Sequence, residues 1–127
     1  MKTLQDMIKD LTGITVEQNK ISKYLESEKL DLRCVDLRCA VLQSADLQSA
    51  DLEETNLKNA NLEYACLRDA NLSYAKLQGA NLQDANLRFA YLKDTSLSFA
   101  NLQDTDLQGT EITKQQLEQL TVIEENE

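Results

Sequence analysis

Apolar residues recur in this chain at every fifth position. Leucine stands at 32, 37, 42 and each fifth place up to 107, and Ile112 occupies the next. Two residues ahead of most of these lies a small side chain, Ala at 40, 45, 50, 60, 65, 70, 75, 80, 85, 90 and 100 and Thr at 55, 95, 105 and 110. Leu30 and Val35 fill the first two of these small slots with larger groups. Between small residue and leucine the chain prefers Asp or Asn, at 31, 36, 46, 51, 56, 61, 71, 81, 86, 101 and 106.

A helix does not produce this pattern, because about 100° of rotation per residue scatters a five-step series around its cylinder. A straight strand fails as well, since its period of two sends positions i and i+5 to opposite faces. The remaining solution runs extended through small, polar and Leu, with both ends inward, and then turns a corner through two residues. Stacked coils of this kind hydrogen-bond to one another at strand spacing and line their interior with leucine. The period alone leaves the number of sides per coil open.

The second corner residue is Asn59, Asp69, Gly79, Asp84, Asp94, Asp104 or Gly109 in seven repeats, types that accept the positive φ of a type II turn. The remaining corners carry Ser, Cys, Tyr, Phe or Glu, and a different turn is expected there. Asn61, Asn81 and Asn101, with Gln43, Gln83, Gln103 and Glu63, are expected to form a polar ladder along one side.

The runs Ala60-Asn61-Leu62-Glu63-Tyr64, Ala80-Asn81-Leu82-Gln83-Asp84 and Ala100-Asn101-Leu102-Gln103-Asp104 resemble the A-[DN]-L-x-x unit of pentapeptide repeat proteins. The resemblance covers about two thirds of the chain. It implies an all-β solenoid, a right-handed quadrilateral parallel β-helix of about four coils. Some members of that family resemble duplex DNA in shape and charge and inhibit the topoisomerase that binds it.

Both ends of such a solenoid expose leucines and unpaired strand edges, which need covers. In 1–29, Leu4, Met7, Ile8 and Leu11 share one helical face, opened by Thr3 with Asp6 and closed by Gly13. A second helix is expected from Thr15, with Gln18 completing its capping box and Ile21, Tyr24 and Leu25 on one face. Leu30, Val35 and Val41 need such a cover. Beyond the repeats of 30–113, Thr113 and Gln116 form another capping-box pattern. Leu117, Leu120, Val122 and Ile123 are expected to cover the last coil, ahead of a disordered acidic tail in 114–127.

The net charge of −9 describes a small acidic chain. It has no stretch near the ~20 apolar residues of a membrane span and no signal-type leader, so a cytoplasmic location is expected; a monomer is expected, with a weak dimer as the alternative. With no His, and with Cys34, Cys39 and Cys66 in no zinc-like spacing, neither a metal nor another cofactor is expected. There is no phosphate loop and no nucleophile elbow, so the chain is not read as an enzyme.

Two surface features bear on function. Tyr64, Tyr74, Phe89, Tyr91 and Phe99 all fall at outward slots and are the candidate contact surface for an unidentified protein partner. Acids gather at Asp31, Asp36, Asp46, Asp51, Glu53 and Glu54, among Arg33 and Arg38. The first feature favours a non-catalytic structural or interaction module with no direct nucleic-acid binding. The second keeps open the rival reading, a DNA-mimicking inhibitor of a DNA-binding enzyme such as a topoisomerase.

Overall fold

A computed structural model describes residues 30–120. Parallel bridges join each residue ahead of a leucine to the one twenty positions later, Asp31 to Asp51, Asp36 to Asn56, Asn61 to Asn81 and so on to Asn86 with Asp106. One coil is therefore twenty residues, four pentapeptides, and the number of sides is fixed at four. We number the sides by their leucines: Leu32, Leu52, Leu72 and Leu92 on the first, and the series beginning at Leu37, Leu42 and Leu47 on the second, third and fourth.

Repeats with a coil both above and below spend their backbone groups in the same way. The leucine N–H donates to the carbonyl nineteen residues ahead, as Leu52 does to Asn71 at 2.8 Å. The residue before it donates downward, as Asn71 does to the Ala50 carbonyl at 3.0 Å. The second corner residue donates upward, as Glu54 does to Ser73 at 3.0 Å, and the next N–H closes the turn, as Thr55 does to Leu52 at 3.1 Å. That leaves the N–H of the first corner residue, and where an Asp or Asn stands ahead of the leucine, its side chain accepts it. All eleven such residues do so at 3.0–3.2 Å, from Asp31 accepting from Arg33 to Asp106 accepting from Gln108. The preference for Asp and Asn at this slot is a means of satisfying a corner donor that no neighbouring strand reaches.

The expected amide ladder is correspondingly thin. Only the Asn101 amide donating to Asn81 Oδ1, at 3.4 Å, links two side chains of that series among the described residues. The asparagine oxygens are already engaged with their own corners.

Leucines from Leu32 to Leu82 are at most 1% exposed and stack coil on coil. Each full burial contributes about 1.5–3 kcal/mol. Threonine enters the small slot because its hydroxyl finds an acceptor beneath it. Thr55 donates to the Leu32 carbonyl at 2.7 Å and Thr95 to the Leu72 carbonyl at 2.6 Å.

The corners overturn one expectation. All sixteen second corner residues have positive φ, from 54° to 76°, including Cys34, Ser44, Glu54, Tyr64 and Phe99. There is no second turn type for the residues that dislike this region. A left-handed L-residue costs roughly 1–2 kcal/mol. A different corner would forfeit the turn bond and the upward bond, each worth about 1 kcal/mol, and would throw the next leucine out of the core. Repetition wins over local propensity.

The upper end carries a helix, α1, Lys114–Gln119. The Thr113 hydroxyl accepts from the Gln116 N–H and the Gln116 side chain accepts from the Thr113 N–H, the capping box expected there. The cover itself differs from expectation. Leu117 is 52% exposed, whereas Gln116 is buried, and its amide donates to the Leu92 carbonyl at 2.7 Å and the Thr95 carbonyl at 3.1 Å. Gln119 accepts from the Leu97 N–H through its side chain and from the Phe99 N–H through its carbonyl. A coil end exposes backbone groups as well as leucines, and stranded polar groups cost more than one leucine left in water. Leu120 packs partly against the core. Leu102 and Leu107, on the third and fourth sides, are only partly buried.

At the lower end Leu30 is 5% exposed and Val35 packs partly against the core. The helical cover expected in 1–29 lies outside the described residues, as do Val122, Ile123 and the acidic tail.

Candidate protein-docking side

The period of twenty sorts the outward residues into columns. The five candidate aromatics are all exposed, from 41% at Phe89 to 76% at Phe99. They do not form one patch. Tyr74 stands at the corner between the first and second sides, Phe99 at the second corner, Tyr64 at the third and Phe89 at the fourth, because their positions differ by multiples of five that are not twenty. Tyr91 lies on the first side, next to the Phe89 corner.

Three of the five, Phe89, Tyr91 and Tyr74, lie on the first side or at one of its two corners. Phe89 and Tyr91 line one cavity of about 570 Å³ together with Leu92, Lys93, Glu111 and Gln116. The cavity exists because the ladder opens there. On lower rungs Leu32, Leu52 and Leu72 donate to Asp51, Asn71 and Tyr91, but Leu92 N–H has no such partner among the described residues, and Glu111, nineteen ahead of it, lines the cavity instead. Gly109 shapes the far wall. Its φ is +76°, and a Cβ there would run into the Phe89 ring, so glycine lets that ring lie against the corner. Arg68 also sits over the Phe89 ring, 5.5 Å from its centroid. Lys93 reaches down over the Tyr74 ring at 6.0 Å and connects the cavity to the coil below.

Below Tyr74 the same side turns acidic. Asp31, Arg33, Cys34, Glu53, Glu54 and Tyr74 line a shallow hollow of about 420 Å³. Arg33 takes Asp31 in a paired contact at 2.9 and 3.0 Å and lies 3.7 Å from Asp51. These carboxylates raise the Arg33 guanidinium above its usual range. Cys34 donates to Glu54 at 3.4 Å, and that hydrogen bond, reinforced by desolvation, raises the thiol pKa. Raised, the thiol is a poor nucleophile at neutral pH.

Elsewhere the acids expected to cluster separate. Asp36 pairs with Arg38 on the second side, at 2.7 Å, and Asp46 lies on the fourth. The second side also carries Lys58 and Lys76, the third mainly amides. At its corner Tyr64 is held protonated to higher pH by the negative charge of Asp84 and by a hydrogen bond to it. Among the described residues no three His, Cys, Asp or Glu side chains converge as a metal site, and no helix is long and apolar enough to cross a membrane.

Sequence reasoning missed Lys93, Gly109, Glu111 and Gln116 as parts of one site. Gly109 carried a signal, being one of only two corner glycines, and it stands twenty residues after an aromatic corner.

A coil of four Leu-centred pentapeptides with left-handed corners defines a class. The family profile of pentapeptide repeats matches residues 36–73 and 70–109, in eight copies, and the chain belongs to that family. Among solved structures it is similar to a pentapeptide repeat protein from Nostoc Pcc 7120, with 33% identity over 76% of this chain and 74% of that one and a TM-score of 0.42. It is also similar to one from the Arabidopsis thaliana thylakoid lumen, at 30% identity and a TM-score of 0.39. That match covers 69% of this chain and 65% of the other, just under two thirds of the relative's length. QnrB1, a plasmid-mediated fluoroquinolone resistance protein, matches at 20% identity over 69% of this chain and 62% of its own, with a TM-score of 0.36. No curated protein matches the sequence at a significant level.

Proposed function

We propose that the protein is a non-catalytic interaction module that holds a protein partner against its first side. The observation that carries this reading is the pairing of Phe89 and Tyr91 in the cavity beneath α1, with Tyr74 below it on the same side under Lys93. Exposed aromatics around a recess are the anchors protein interfaces use. The scaffold suits the task, since stacked coils hold these side chains on a rigid frame. We further infer that the frame is the family's right-handed quadrilateral β-helix with helical covers at both ends, working as a monomer in the cytoplasm.

The rival reading, a nucleic-acid mimic, draws on the acid excess. It has less support, because Arg33 and Arg38 each pair with an acid of the first coil and Lys58 and Lys76 interrupt the negative surface on the second side.

Site-specific photo-crosslinking in extract of the source cell tests the assignment. A photoreactive group at position 91 should give a discrete crosslinked species and one at Gln83, on the third side, should not. Equal labelling from both positions, or labelling from Gln83 alone, defeats it.

A further inference from the structure

Resting on the first side as the docking side, we infer that its partner is an extended basic segment led by an apolar anchor residue. The aromatic cavity and the acidic hollow, two separate surface features in the sequence, lie one above the other on this side, with Tyr74 on the border of the hollow. The anchor enters the recess between Phe89 and Tyr91, whose lining is more apolar than that of the acidic hollow. From there a segment running along the solenoid axis crosses Ser73 and Tyr74 and reaches Glu53 and Glu54.

Charge complementarity sets the sign of that segment. The first side and its trailing corner hold Asp31, Asp51, Glu53, Glu54, Asp94 and Glu111 against Arg33 and Lys93. Arg33 occupies Asp31 and approaches Asp51, so within the lower hollow Glu53 and Glu54 are the carboxylates with charge to offer. Lys93 lies over the Tyr74 ring, two rungs above Glu53 in the same column. Spacing sets the pattern of the segment. Two rungs separate the cavity from Glu53, about 10 Å at ~4.8 Å per rung, which an extended chain covers in about three residues at ~3.3 Å each. The segment therefore reads anchor-x-x-basic.

The probe is a C-terminally fluorescein-labelled peptide, Leu-Ser-Ser-Lys-Ser-Lys, titrated with the full chain and followed by anisotropy. Binding should fall about tenfold or more when the peptide's Leu becomes Ser, and again when its lysines become Glu. In the protein, Tyr91→Ser should weaken binding by a similar factor. Glu53→Gln with Glu54→Gln should weaken it and flatten its salt dependence, because screened charges no longer contribute. Unchanged melting curves show that these exposed changes leave the fold intact. A glutamate peptide that binds as well as the lysine peptide, or absence of binding to the basic one, overturns the inference. If position 91 still crosslinks a partner while the peptide does not bind, the docking side stands and only the basic segment is wrong. If position 91 also captures nothing, both readings fall.

Discussion

Truncating one leucine on the third side separates a packed interior from an open end. Leu82 is 0% exposed and is locked from both directions, donating to Asn101 at 2.8 Å while the rung beneath, Leu62, donates to Asn81 at 2.7 Å. Leu82→Ala removes three methylene-sized groups, about 2.4 kcal/mol at roughly 0.8 each. The hydrogen-bonded rungs above and below prevent collapse, so most of the cavity remains and the total reaches about 4–5 kcal/mol. Leu102, one coil higher on the same column, is only partly buried. Leu102→Ala should therefore cost about 1–2 kcal/mol. Urea melts of the two variants and the parent, with equal m-values, read the difference directly. Equal losses at the two positions would refute the burial gradient and show that something covers Leu102 as fully as Asn101 and its coil cover Leu82.

Three further perturbations test other parts of the structure. Gln116→Leu adds apolar surface at the upper end yet should destabilise by roughly 1–3 kcal/mol, since Leu92 and Thr95 lose the donor to their carbonyls; a more stable variant in the same melts would contradict the polar cover. Asp84→Asn should lower the pH at which the Tyr64 phenol ionises, followed by phenolate absorbance. In the parent the folded-state pKa is raised, so the stabilisation is complete below the unfolded value near 10 and disappears as pH rises through the folded one. Glu54→Gln should quicken alkylation of Cys34, measured by mass spectrometry at neutral pH, because it removes the main cause of the raised thiol pKa; an unchanged rate would mean the contact with Glu54 does not govern the thiol.

The leucine spacing disclosed the core because every repeat states it again, and the small slot and the capping box at Thr113 and Gln116 were legible for the same local reasons. The corners were not. Phe99 and Glu54 adopt positive φ against their own preference, since the bonds they make to Gln119 and Ser73 above them and the stacking of the coil decide the matter. Nor did Leu117 and Gln116 disclose their roles, because an apolar spacing signals only apolar burial, whereas the neighbouring coil end also demands donors and acceptors. The relation of Tyr91 to Phe89 and Tyr74 was hidden until the coil length was known. A period of five leaves the sides unnumbered, and proximity on the surface depends on the period of twenty.

That double period makes the solenoid a rotary register. Removing one pentapeptide, residues 60–64 for example, would keep every later leucine in a leucine slot and every corner at a corner, so the interior would barely notice. Everything above the deletion would nevertheless turn by a quarter revolution relative to everything below. Tyr91 and Lys93 would no longer stand over Glu53 but over Asp46 and Gln48, while removal of twenty residues would bring them back into line. Folding thus constrains length in steps of five, and any function spread over several coils of one side constrains it in steps of twenty.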